Sequence, residues 1–234
     1  MTFSMKRIQA IFIKDYKDLQ RNGYVLFTAL LPLFFAFWLK GDGNPEASGL
    51  IFNLALVMSG CFVQAALIAE EKEKNTLRGL LLSPASTMDI LIGKSALSFI
   101  ITALVLIGCI LITDFSIQNA WIFILVNVMA LCIYIGAGTL IGLLSRTVME
   151  SSLIGMPAMF LFGMGSLIPI AFDNDIVLEV LAYLPNFNYM DIIIELTPGQ
   201  SFSAFSEGLI ILAVWFIVTI LATLFVYRRR QFDK

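Results

Sequence analysis

Gly93-Lys94-Ser95 imitates the end of a loop that cradles phosphate. The full pattern needs another glycine five residues before Gly93, so that backbone amides can wrap the phosphates closely. Met88 stands there, and an apolar stretch follows at once. Nucleotide binding is therefore not expected of this chain, and Lys94 reads as a lysine snorkelling from the end of an apolar helix. The chain has no histidine, which removes imidazole metal sites, catalytic dyads and histidine proton relays. Cys61, Cys109 and Cys132 all fall in apolar runs and read as buried free thiols. No catalytic residue, metal ligand or cofactor is expected in the chain itself.

The elements that hold these residues are set by composition. Of 234 residues, 59% are apolar and only 14% charged, where a soluble domain is about a quarter charged. Six stretches carry no Asp, Glu, Lys or Arg: 23–39, 49–69, 95–113, 120–144, 151–172 and 208–227. Each is near the roughly 20 residues a helix needs to cross about 30 Å of hydrocarbon, and backbone in lipid must satisfy its own hydrogen bonds. The reading is an all-α membrane protein with six transmembrane helices over 23–227. A helix over residues 1–22 precedes them in the interface, and a basic tail, 228–234, follows. In the first segment Met5, Ile8, Phe12, Tyr16 and Leu19 make an apolar stripe among basic residues. The segments that alternate onto one side hold 14 of the 15 Lys and Arg, with Lys40 alone opposite. Both termini are then cytoplasmic. A net charge of −2 gives no reason to expect a nucleic-acid partner.

Ionisable groups inside spans mark ion paths and proton relays, and these six stretches hold none. What polar chemistry lies within them is Asn53, Gln64, Asn127 and a few hydroxyls. With Pro157, which allows a kink in the fifth span, these three are the candidates for a substrate path. Gly138 and Gly142, four apart in the fourth span, suit close helix packing. Any energy for active transport must come from elsewhere.

Between the second and third spans the chain reads Glu70-Glu71-Lys72-Glu73-Lys74-Asn75-Thr76-Leu77, then Leu80-Leu81 and Ser83-Pro84. Leu77, Leu80 and Leu81 share a helical face, and Pro84 ends that helix. A leucine face at the cytoplasmic surface lies on lipid or docks into a protein groove, and its acidic lead suits a protein. This run resembles the signature of the type-2 ABC exporter permease family, Glu-x-Glu-x-Gly-Thr-Leu followed by a leucine pair and a proline. Asn75 stands where glycine is usual, and Asn is the best substitute at a left-handed position. The resemblance implies a non-enzymatic permease of the bacterial cytoplasmic membrane, paired with a second copy or a paralogue. Each permease docks on a separate ATPase subunit, which carries the ATP and magnesium. Glu71, Glu73, Thr76, Leu77, Leu80, Leu81, Ser83 and Pro84 would then form the coupling element. The rival is a stand-alone membrane protein, such as an immunity protein or passive channel.

Residues 173–207 hold Asp173, Asp175, Glu179, Asp191, Glu195 and Glu207, and no Lys or Arg. Two short helices broken at Pro185 are expected there, dipping into the outer leaflet as re-entrant helices do in the family it resembles. The acidity suits a cationic cargo, and the ordinary scarcity of Lys and Arg in outer loops also accounts for it.

Overall fold

The computed structural model describes residues 5–39, 43–74, 87–165, 168–171, 175–196 and 202–232. Among them every regular element is a helix. The first, α1 (Met5–Arg21), buries Ile8, Ile11, Asp15 and Leu19, while Met5 and Tyr16 stay exposed. The packed face is therefore turned from the expected stripe by about one residue, with Ile11 in it. Gly93 explains the turn: a Cβ there would lie 3.0 Å from Ile11, so the missing side chain is the seat that Ile11 occupies.

Asn22 accepts the Val25 amide and starts α2 (Gly23–Trp38). Asn44 accepts the Glu46 amide, with proline in the first turn, and starts α3 (Pro45–Glu73). This helix runs through a π-helical segment, Leu56–Phe62. It continues past the apolar stretch into the charged run, because the alternating Glu and Lys are good helix formers. Next comes α4 (Thr87–Thr113), which takes in Asp89 and Lys94 as well as the apolar stretch. Asp114, at a φ of 52°, closes it: the Phe115 amide reaches back to the Ile110 carbonyl at 3.3 Å, the bond of a Schellman stop.

Asn119 caps α5 (Ala120–Leu144). Thr147 caps α6 (Val148–Gly163), and Glu150 reaches back to the Arg146 amide at 2.7 Å. A continuous span was expected to residue 172. Instead α6 ends in a π-helical turn, Met159–Gly163, and a separate short helix follows, α7 (Ile168–Ala171). The break falls at Gly163 and Gly165, where the chain lies so close to the Asn186 amide that a Cβ on Gly165 would be 2.6 Å from it.

Two short helices, α8 (Asp175–Leu181) and α9 (Pro185–Glu195), are bent by 79°. Leu184 between them is extended, as the residue before a proline prefers. The last helix is α10 (Phe202–Phe232).

Four helices, α3, α4, α5 and α10, are long and apolar enough to cross a membrane, and α2 and α6 are shorter apolar helices. Within its most apolar stretch α3 is 94% buried, against 17% for α10. So α3 is the axis of the bundle and α10 lies at its edge. The glycine pair of α5 lies on that axis. A Cβ at Gly138 would sit 2.2 Å from the Cys61 carbonyl oxygen, and one at Gly142 2.7 Å from that of Ala65. Only glycine admits such backbone contact.

Candidate functional site at the charged end of the bundle

At one end of the bundle, α1 lies across the ends of α3 and α4. Leu19 packs with Val25, Val63, Leu67 and Leu97, and Ile11 with Ile68, Ile90, Leu143 and Tyr227. Asp15 sits between these two apolar patches, on the buried face of α1.

A carboxylate so placed needs a partner. Lys94 supplies it: its ammonium lies 3.2 Å from Asp15 Oδ2 and 3.1 Å from Glu71 Oε1. Lys94 is 1% exposed, Asp15 2% and Glu71 4%. The sequence expectation of a snorkelling lysine is thus corrected, since Lys94 points inward to two carboxylates rather than outward to water. Lys14 also bonds Glu71 and lies 3.6 Å from Asp18. Burial pushes the Asp15 carboxyl above its ordinary range, and Lys94 pulls against that rise. Burial pulls Lys14 down, but the hydrogen bond and charge of Glu71 outweigh it and hold the ammonium above the ordinary lysine value. Arg7 adds a second tie, 3.6 Å from the buried Asp89 of α4.

The last turn of α3 is a hub, because successive side chains of a helix point about 100° apart. Glu70 accepts from Asn22 Nδ2 at 3.3 Å and pairs with Lys74 at 2.5 Å. Glu71 faces α1 and α4. Lys72 donates to the carbonyls of Leu143, at 2.7 Å, and Ser145, a cation on the open carbonyl end of α5. Glu73 accepts the Val148 amide at 3.0 Å, an anion at the amide end of α6. Four consecutive side chains therefore hold five other elements or their caps.

Of the expected coupling residues, Glu71 faces inward, and Glu73 is exposed while capping α6. Its remaining members, Thr76, Leu77, Leu80, Leu81, Ser83 and Pro84, lie outside the described residues. The expected path residues do not converge on an opening in this structure. Asn53 donates to the Phe162 carbonyl at 2.6 Å and accepts from the Tyr134 hydroxyl at 2.8 Å. Gln64 donates to Thr139 at 3.0 Å and accepts from Ser98 at 2.7 Å. Asn127 accepts from Tyr189 at 2.9 Å. Each amide crosslinks helices, as buried polar groups in apolar bundles do, and Pro157 stands exposed on α6. Sequence reading missed Asp15 and Lys94. The available signal was Asp15 itself, a carboxylate in register with Ile8, Ile11 and Leu19.

Residues 13–225 match the family described as ABC-2 family transporter protein. The matched stretch includes Asp15, the hub and Lys94. Against curated proteins the chain finds no match.

Proposed function

From the premise that this multi-pass membrane chain belongs to the ABC-2 transporter family, we propose that it is the permease subunit of an ATP-driven exporter. It crosses the bacterial cytoplasmic membrane six times, through α2, α3, α4, α5, α6 and α10, with both termini in the cytoplasm. It pairs with a second copy or a paralogue, and two separate ATPase subunits bind and hydrolyse ATP with magnesium. The permease itself performs no hydrolysis. In this reading α8 and α9 dip into the outer leaflet.

One observation carries the coupling role: Glu71 and Lys94 stand on either side of the 75–86 loop, and both bond Asp15 or its neighbour on α1. A push on that loop reaches α1, α3 and α4 through one buried ionic cluster, and α5 and α6 through Lys72 and Glu73. Leu77, Leu80 and Leu81 seat in a groove of the ATPase, and Thr76, Ser83 and Pro84 shape the loop that presents them.

Membrane recruitment of the ATPase, measured beside permease expression, is the test. Truncating a buried anchor costs about 2 kcal/mol or more, roughly thirtyfold in affinity, so Leu80→Asp should release the ATPase while leaving the chain inserted. Normal recruitment and transport in a Leu77→Asp, Leu80→Asp double variant would rule out the loop as the docking element. A chain that recruits no ATPase at all would instead be a stand-alone membrane protein, such as an immunity protein or passive channel. Orientation is checked by cysteine labelling, expected in intact cells at position 174 and absent at position 75.

A further inference from the structure

The helix α10 joins two ends of opposite charge. Tyr227 packs with Ile11 of α1, and Arg228-Arg229-Arg230 follow it in the sequence. Glu207 lies roughly 30 Å back along the helix by its rise. There Glu179, Asp191, Glu195 and Glu207 line a groove bounded by α8, α9 and the start of α10. At the other end α1 itself carries five basic residues. Two are turned to carboxylates of the chain: Arg7 to Asp89, and Lys14 to Glu71 and Asp18. The other three, Lys6, Lys17 and Arg21, are exposed and form no ion pair among the described residues.

These three share the outer side of α1 with apolar side chains that the described residues leave uncovered. Met5, Ile13 and Tyr16 are exposed. At about 100° per residue, Lys6, Ile13 and Lys17 stand opposite the face that buries Ile8, Ile11, Asp15 and Leu19. Arg21 lies to one side of them, and Met5 and Tyr16 lie to the other, beside Phe12. An apolar flank and a basic edge about a quarter turn apart suit a helix held at the boundary between acyl chains and headgroups. The next helix says what covers the apolar flank. Only Asn22 separates α1 from α2, and the Asn22 amide bonds the Leu19 carbonyl at 3.0 Å. On α2 an apolar row, Tyr24, Phe27, Leu30 and Phe34, is exposed, so the two exposed apolar surfaces follow one another with one residue between them. A second copy laid on α1 would bring the same three cations, which repel. An anionic leaflet brings the opposite charge.

We propose that the outer side of α1 is a docking surface for anionic phospholipid. The phosphate oxygens of the headgroups accept hydrogen bonds from Lys6, Lys17 and Arg21, and Met5, Ile13 and Tyr16 enter the acyl boundary. The opposite face of α1 is tied through Asp15 to Lys94, so the charge of the leaflet bears on the same helix that closes the buried ionic cluster. The proposal rests on the chain being a multi-pass membrane protein and not on its partnership with an ATPase.

The test uses the purified full chain in nanodiscs of phosphatidylcholine with graded phosphatidylglycerol. Amide exchange of residues 5–21 is followed in the discs, and lipids retained on the released chain are weighed by native mass spectrometry. Protection of α1 should rise with the phosphatidylglycerol fraction, and from equimolar discs the chain should retain phosphatidylglycerol in excess. A basic residue beside an anionic surface contributes about fivefold to affinity. Combined Lys6→Gln, Lys17→Gln and Arg21→Gln should therefore cut that excess by about tenfold or more, while melting in pure phosphatidylcholine stays unchanged. Ile13→Asn with Tyr16→Asn should lower protection in both lipids alike. Leu80→Asp should leave the lipid preference intact, so a failed lipid surface and a failed ATPase partnership are read separately. Equal retention of the two lipids, an unchanged preference in the triple variant, or the same protection from inorganic phosphate in pure phosphatidylcholine discs would overturn the proposal. Loss of ATPase recruitment in the triple variant without any lipid preference in the parent would assign this face to the protein partner and overturn it equally.

Discussion

At the end of the bundle where α1 lies, the buried carboxylates Asp15 and Glu71 touch Lys94, which both share. At the opposite end, four carboxylates line a groove that has no lysine or arginine among its described lining residues. The residue types are the same and the physical consequences are opposite. Paired and desolvated charges are strongly coupled, so losing one leaves its partner stranded in an apolar place. Unpaired charges that still meet water cost little to keep, and they project a field toward whatever approaches. The first arrangement fixes helices to one another; the second leaves its interactions available.

Lys94→Met is the harshest test of that contrast. It removes the ammonium that both buried carboxylates share and should destabilise the chain by about 3–5 kcal/mol, read as a large fall in melting temperature in detergent. Adding Asp15→Leu should recover much of the loss, because the pair is then replaced by apolar packing. Neutralising all four groove carboxylates should leave melting nearly unchanged, and a comparable fall there would erase the distinction between the two ends. Within the hub, Glu71→Gln should cost more than Glu73→Gln. The first takes a buried negative charge from between Lys94 and Lys14, leaving Asp15 and Asp18 as their partners, whereas the second keeps an exposed acceptor for the Val148 amide and should cost less than about 1 kcal/mol. Raising salt from 0.05 to 0.5 M should scarcely move the melting temperature, since screening acts on exposed charges and Asp15, Glu71 and Lys94 are buried.

The smallest effect is that of pH. Asp15 has its folded value raised, so the folded chain takes up this proton before the unfolded chain does. Its own contribution therefore favours folding increasingly as pH falls through that raised value, and it offers no acid weakness. Lys14, also raised, contributes below the ordinary lysine range and loses that contribution as pH climbs through its folded value. A melting series of Asp15→Asn against the parent over pH 4–7 checks the first sign.

Much of the bundle is legible from composition, because lipid leaves the backbone few choices. The stretches at 23–39 and 120–144 correspond to α2 and α5 nearly residue for residue. The ends are less legible. Charge-free stretches mark where charges stop, but helices stop where caps and glycines stop them. So α3 and α4 carry charged residues in their end turns, and α6 closes at Gly163. The charged end was half legible. Glu71 and Glu73 stood out as a motif, whereas Lys94 looked like an ordinary flanking lysine. Its burial depends on Asp15, 79 positions earlier, and no local pattern reports a contact at that range. Asn53, Gln64 and Asn127 were visible as polar islands, but residue type does not distinguish lining a path from tying two helices together.

The π-helical segment of α3 has a consequence in phase. Asn53 and Gln64 are eleven positions apart, and eleven residues of regular α-helix make close to three full turns, about 3.1. An unbroken α3 would aim both amides at nearly the same neighbours. Between them, Leu56–Phe62 is wound on i→i+5 bonds and turns less per residue. Asn53 thus meets the last turn of α6 and Gln64 meets α4, while both keep a hold on α5 through Tyr134 and Thr139. A slow stretch of winding lets one rod present two compass bearings. Any rewinding of that stretch would turn the hub-bearing half of α3 against the half that carries Asn53, without either half having to bend.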